Sequence, residues 1–209
     1  MLLNKLLKIA FIMSLILLII TLSFKLSLFN FDLYKKEFAK NNIYEKIPGA
    51  DENALNLINF MNNKEELNDF YNENEKLHLQ DVKDLYKNLN LVFYITLILT
   101  IFFLTYFIYK MDYKILSKSL LVSSIVLFMI ILTFFIFDFN YLFEKFHIIA
   151  FNNDLWQLNP AEDNLINLFP EQIQYNITKR ILLIILILGI ISGILSLIIK
   201  LKNKQKVFK

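Results

Sequence analysis

The sequence predicts an all-α membrane protein: four transmembrane helices with a mostly helical extracytoplasmic cap. Three observations carry this. Of the 209 residues, 56% are hydrophobic and 15% aromatic, more than a water-soluble domain of this size carries. Four separate runs, residues 9–29, 91–109, 115–137 and 181–199, each reach the length of about twenty apolar residues that a bilayer requires. Lysines gather at the ends of these runs that four crossings would bring to one side.

Residues 1–29 open with Lys5 and Lys8, and the run that follows is broken only by Lys25 near its far end. A long side chain there reaches water along its own stem. The apolar core is longer than the h-region of a signal peptide and no A-x-A-like site follows, so a retained helix with a cytoplasmic N-terminus is expected.

Residues 30–90 form the first extracytoplasmic segment. Pro48-Gly49 reads as a turn, Asp51 as an N-cap, and Ala54, Leu57, Ile58 and Met61 as one face of a helix. A second helix is expected to begin near Glu73. His78, Val82, Leu85 and Leu89 recur on one face of it as it runs into the second crossing, and Asp81 sits three residues from His78, within reach of its ring.

Residues 91–137 hold the second and third crossings, joined by a short cytoplasmic turn at 110–114 with Lys110, Lys114 and, just beyond, Lys118. Residues 138–179 return outside. Pro160 fits the first turn of a short helix, "PAEDNLINLF", capped by Asn159 and ended by Pro170. Phe143, Phe146, Phe151, Trp156 and Phe169 make this segment amphipathic, suited to the membrane interface. Residues 180–209 hold the last crossing and a basic tail of Lys200, Lys202, Lys204, Lys206 and Lys209. Gly189 and Gly193 stand at GxxxG spacing on that crossing, which serves close packing within the chain, dimerisation, or neither.

The positive-inside rule places both termini and the 110–114 turn in the cytoplasm. Segments 30–90 and 138–179 then lie outside, and both carry more Asp and Glu than Lys and Arg.

The chain has no cysteine, which excludes disulfides, thiolate nucleophiles and Cys-ligated zinc. The outer segments hold no serine, and their single threonine, Thr178, is at the mouth of the last crossing. A Ser–His hydrolase site there is disfavoured. The spans carry no charge at their hearts, which argues against an ion or proton transporter. What remains outside is His78 and His147, the chain's two histidines, with carboxylates, amides and tyrosines.

Each histidine alone reads as a solvated or packing residue. Together, both on one side and each near a span end, they form a candidate acid–base pair, because imidazole titrates near neutrality. Asp81, Asp154 or Glu144 beside them would instead suit a metal site, although no H-E-x-x-H motif is present. A metal-dependent membrane hydrolase and a non-enzymatic sensor or assembly protein stay open as alternatives. Trp156 also reads as an interface anchor, and Asn152 and Asn153 as a turn.

Two stretches carry a resemblance. "EKLHLQDVKDLY" ahead of the second crossing and "FHIIAFNNDLWQLNPAEDNLINLFPEQ" after the third resemble the paired signature of the lipoprotein intramolecular transacylases. The resemblance covers nearly the whole chain. It implies His78 and His147 as catalytic residues at the junction of cap and membrane. It implies an aromatic pocket for which Phe146, Phe151, Trp156 and Phe169 are the candidates. Asp81, Asn152 and Asp154 are expected to orient the histidines. The implied reaction moves the sn-2 acyl chain of a diacylated lipoprotein onto the α-amino group of its own N-terminal cysteine, giving the lyso form. No metal or other cofactor is implied. The implied partners are diacylglyceryl-modified bacterial lipoproteins and membrane lipid, with no nucleic acid and a monomer favoured. The implied place is the bacterial cytoplasmic membrane, with the site at its extracytoplasmic face.

Overall fold

A computed structural model describes residues 2–207 of the chain. Lys209, at the end of the basic tail, lies outside the described residues, as do the side chains of Lys204 and Lys206. Nine helices and no strand make up the described residues: α1 (Leu2–Ser27), α2 (Phe31–Lys40), α3 (Ile43–Lys46), α4 (Ala50–Met61), α5 (Glu73–Tyr109), α6 (Tyr113–Ile136), α7 (Phe139–Ala150), α8 (Asn164–Leu168) and α9 (Glu171–Val207). Four of them, α1, α5, α6 and α9, are long and apolar enough to cross a bilayer. Their ends differ by a few residues from the apolar runs. The first stops at Ser27 because Phe29 takes a left-handed conformation, φ 57°. α5 extends far ahead of its apolar run, starting at Glu73.

The chain divides into two compact units. The first comprises Met1–Phe24, Leu89–Phe137 and Ile181–Lys209. Its buried centre is Phe11, packed on Phe103 and Phe107 with ring centroids 6.2 and 5.7 Å apart, together with Leu116 and Leu120. Many of its other large apolar side chains, such as Ile98, Ile125 and Leu183, are exposed, as a lipid-facing surface requires. Hydrogen bonds between helices here come from hydroxyls, with Thr100 Oγ1 donating to Ser14 Oγ at 3.2 Å and the others from serines. Ser117 Oγ donates to the Ser196 carbonyl at 3.0 Å, Ser196 Oγ to the Ser117 carbonyl at 2.6 Å, and Ser192 Oγ to the Leu120 carbonyl at 3.0 Å. In an apolar medium such bonds replace the hydrophobic drive that water would supply.

The GxxxG pair belongs to this α6–α9 contact. A Cβ on Gly189 would stand 3.6 Å from Leu127, an ordinary contact, whereas one on Gly193 would stand 3.0 Å from Ser124 Oγ. Gly189→Ala is therefore expected to leave thermal stability near wild type. Gly193→Leu, which adds branches where even a methyl is tight, is expected to cost about 1–3 kcal/mol. Thermal unfolding of the detergent-purified protein checks both, and equal melting temperatures for the two variants would contradict the contact.

The second unit comprises Lys25–Asn88 and Asp138–Arg180. Asn30 caps α2, its side chain accepting from Leu33 N at 3.0 Å, and the helix buries Tyr34 and Phe38 one turn apart. The helix at 50–61 forms, but its cap is Gly49 at φ 75° rather than Asp51. Asp51 lies inside the first turn, where its charge meets the positive helix end and its carboxylate accepts from the Tyr44 hydroxyl at 2.8 Å. The inward face of α4 is Ala50, Ala54, Leu57 and Met61, joined by Phe60, with Ile58 only half-buried.

The helix expected to begin at Pro160 begins at Asn164 instead. Asn159 and Asp163 close a turn first: the Asp163 carboxylate accepts from Asn159 N at 2.6 Å, and the Asn159 side chain from Ala161 N at 3.1 Å. Local side-chain bonds of this kind compete with helix propagation.

Candidate active site

Both histidines belong to the second unit. His147 sits on α7, a helix that Asp138 starts by accepting from Asn140 N at 2.8 Å. Phe139, Phe143 and His147 then recur at i, i+4 and i+8 along one face. Phe139 packs on Phe143 and on Tyr175 of α9, with ring centroids 5.7 and 5.2 Å apart. The opposite side of α7 exposes Tyr141, Ile148 and Ile149.

His78 lies in the second turn of α5. Asn72 and Glu75 start that helix reciprocally: the Asn72 side chain accepts from Glu75 N at 2.9 Å, and the Glu75 carboxylate from Asn72 N at 2.7 Å. Glu75 is fully buried and also accepts from Leu165 N at the head of α8. Asn72 Nδ2 donates to Asp163 at 2.7 Å. The turn that carries His78 is thereby tied to the 159–170 stretch.

The two imidazoles come together. Their ring centroids are 6.4 Å apart with the planes 32° apart, and both rings are buried. Phe151 packs against both, 5.2 Å from His78 and 5.6 Å from His147. Around His147 stand Phe143 at 4.1 Å, Trp156 at 5.0 Å and Phe146 at 5.3 Å, the last edge-on at 88°.

The hydrogen bonds of the pair differ. His147 Nδ1 is 2.7 Å from the Phe143 carbonyl oxygen. A carbonyl only accepts, so Nδ1 carries the proton, and in the neutral ring the lone pair is on Nε2. His78 Nδ1 is buried with no partner among the described residues.

Both rings lie outside the apolar runs, His78 on the part of α5 ahead of residue 91. Burial lowers the pKa of His78 to about 4, with the neighbouring His147 adding to the effect and Asp81 opposing it. Burial also lowers that of His147, against the bond to the Phe143 carbonyl. At neutral pH the site holds two uncharged imidazoles.

The other expected site residues divide. Phe146, Phe151 and Trp156 join the ring cluster. Phe169 does not: its ring contacts among the described residues are with Tyr34 at 4.9 Å and Phe38 at 5.6 Å, because it closes α8 against α2. Asp81 does not bond His78. Its Oδ2 accepts from Asn153 Nδ2 at 2.9 Å, so Asn153 rather than Asn152 is its amide partner. Asn152 is exposed, and Asp154 closes a local turn, accepting from Gln157 Nε2 at 3.3 Å. Sequence reasoning missed the Phe143 carbonyl, Asn153 and the buried Glu75. The i, i+4 spacing of Phe143 and His147 is the signal that could have found the first.

Among the described residues, no group of three or more His, Asp and Glu is placed to hold a metal ion. A cavity of about 480 Å³ elsewhere in this unit is lined by Asn41, Lys46, Asn164 and Asn167 among others. Its lining contains no histidine or carboxylate.

These features define a helical integral membrane protein whose polar unit holds a desolvated histidine pair among aromatic rings. Comparison with known proteins gives the family. The model of the lipoprotein intramolecular transacylase family, Lit, matches residues 9–173, and the chain belongs to that family. In meso structures of the membrane integral transacylase Lit from Bacillus cereus share the fold. One has a TM-score of 0.79 at 23% identity, covering 97% of this chain and 98% of that one. A second, with one histidine replaced by arginine, has a TM-score of 0.78 at 22% identity, covering 98% and 95%. A third, with one histidine replaced by alanine, has a TM-score of 0.78 at 22% identity, covering 97% and 96%. No curated protein matches the chain. The chain is a membrane acyltransferase of the lipoprotein transacylase type.

Proposed function

We propose that this chain transfers the sn-2 acyl chain of a diacylated lipoprotein to the α-amino group of that lipoprotein's N-terminal cysteine, and that His147 and His78 perform the proton transfers. The observation that carries this reading is the meeting of two buried imidazoles from distant parts of the sequence, 6.4 Å apart.

The substrate's own amine is the nucleophile, which accounts for a site built without serine or cysteine. The α-amino nitrogen attacks the ester carbonyl, forming the N–C bond. The unprotonated Nε2 of His147 takes the proton that the nitrogen sheds and returns it to the sn-2 oxygen as the C–O bond breaks. His78, held neutral by burial, donates an N–H to the oxyanion of the tetrahedral intermediate. Ester-to-amide transfer is downhill and consumes no co-reactant.

The barrier is geometric, because amine and ester must close a medium-sized ring through the thioether. Holding them together contributes on the order of 7–11 kcal/mol. The rings of Phe146, Phe151 and Trp156 exclude the water that would otherwise hydrolyse the ester. The lysine distribution supports cytoplasmic termini and a site at the extracytoplasmic face, where lipidated cysteines reside.

The test is mass spectrometry of the N-terminal peptide of a reporter lipoprotein, in a host lacking other N-acylating enzymes. Expression of this chain is expected to convert the diacyl peptide to one with an acyl group on nitrogen and one left on glycerol. A peptide that keeps both chains on glycerol would overturn the reading.

A further inference from the structure

On α5 beside His78, the carboxylate of Asp81 is left without a counter-ion. Along the polar half of α5, Glu73 pairs with Lys76 at 3.2 Å and Asp84 with Lys87 at 2.8 Å. Glu75 is buried under the N–H groups of Asn72 and Leu165. Asp81 has no cation partner among the described residues. Its one polar contact is the amide of Asn153, 2.9 Å away, which reaches it from the far side of the sequence.

The place of Asp81 is particular. It is three residues from His78, so the two side chains leave α5 about 5–6 Å apart at Cβ. Its partner Asn153 is two residues past Phe151, the ring that packs on both imidazoles. An amide N–H donor on Oδ2 fixes the carboxylate and leaves Oδ1 open. The imidazoles beside it are neutral and do not compensate its charge. An anion fixed by a neutral donor at the rim of a desolvated cluster is a receptor for a cation.

We infer that Asp81, steadied by Asn153, binds the α-ammonium group of the substrate's N-terminal cysteine. This inference rests on the transacylation reading and extends it to substrate selection. An α-amino group with a pKa of about 7.7–8.0 arrives mostly protonated at neutral pH. Asp81 holds it by charge-assisted hydrogen bonds, which places the nitrogen beside the pair; one proton leaves to water at the rim to give the neutral amine, and the second is shed to His147 as the N–C bond forms. A substrate already acylated on nitrogen has no cation to offer and buries the Asp81 charge against an amide. The site thus selects the unreacted form and releases the product.

The test uses the full chain in nanodiscs and two lipopeptides with an ether in place of the sn-2 ester, so that neither reacts. One has a free α-amino group and the other is N-acetylated. The wild type is expected to bind the free amine more tightly, on the order of tenfold to a hundredfold. D81N is expected to bind the N-acetylated peptide at least as tightly as the wild type does, which shows that it is folded, and to lose the preference. D81E is expected to restore part of it. A purely structural role would weaken both peptides alike and leave their ratio unchanged. Equal binding of the two peptides by the wild type, or a preference that survives in D81N, overturns the inference while leaving transacylation standing. Failure of the wild type to bind either peptide overturns both.

Discussion

Replacing His147 by alanine is expected to lower formation of the lyso lipoprotein by about 10²–10⁴-fold, the range of a positioned general acid–base group. The bond from Nδ1 to the Phe143 carbonyl, 2.7 Å long, leaves Nε2 as the acceptor that the shed proton needs. His78 is the one other imidazole among the described residues of the ring cluster. In the proposed mechanism, removing His78 removes a donor to the oxyanion, and one such donor is worth about 10²–10³-fold. If the two groups act on one intermediate as proposed, the double variant is expected to fall well short of the product of the single losses.

The pH profile follows from the same geometry. In the proposed mechanism the neutral form of His147 is the active base. Burial sets its pKa below the ordinary 6.5, so the base is mostly unprotonated at neutral pH and is lost as pH falls through the lowered value. The acid limb that His147 contributes is therefore expected below pH 6.5, separate from the limb that the substrate's α-amino group contributes near its own pKa of about 7.7–8.0. Rates in nanodiscs, read by mass spectrometry of the N-terminal peptide, check each statement. Wild-type yield from His147→Ala, or a rate with no acid limb below 6.5, would contradict the assignment.

The parts legible in the sequence are those whose signal is local and repeated. The four crossings announce themselves by composition and length, and α4 by the spacing of Ala54, Leu57 and Met61. The long helix from Glu73 is legible because polar and apolar residues keep one period into the second crossing. Elements without such repetition escape. α2 depends on two buried aromatics, Tyr34 and Phe38, and on a cap at Asn30 that also reads as a loop residue. α7 is aromatic on several sides, so its inward face does not stand out by hydropathy; Asp138 with Phe139, Phe143 and His147 one turn apart is the pattern that marks it.

The site shows the same division. That His78 and His147 are unusual is visible from their number in the chain. That Asp81 bonds Asn153 and not His78 is not visible, because it depends on how the 151–157 stretch folds back. Phe169 and Phe151 look alike in the sequence. Only their contacts separate them, one closing α8 on Tyr34 and Phe38, the other lying on both imidazoles.

Glu75→Ala is expected to produce the second large effect, through placement and not chemistry. The carboxylate is fully buried one turn before His78 and receives the N–H groups of Asn72 and Leu165. Deleting it orphans both donors in a place closed to water, at about 1–3 kcal/mol each. At roughly 2–4 °C per kcal/mol, the melting temperature in detergent is expected to fall by several degrees or more. Glu75→Gln is the informative control, because its carbonyl can serve one N–H while its own amide N–H₂ confronts the other. It should lose about half as much. The tie from α5 to α8 also sets where His78 stands, and a displacement of about 1 Å at a reacting group can cost on the order of 10²-fold in rate. Activity is therefore expected to fall further in Glu75→Ala than unfolding accounts for, even at temperatures where the variant is fully folded. A Glu75→Ala protein as stable and as active as the wild type would mean that the buried carboxylate positions nothing.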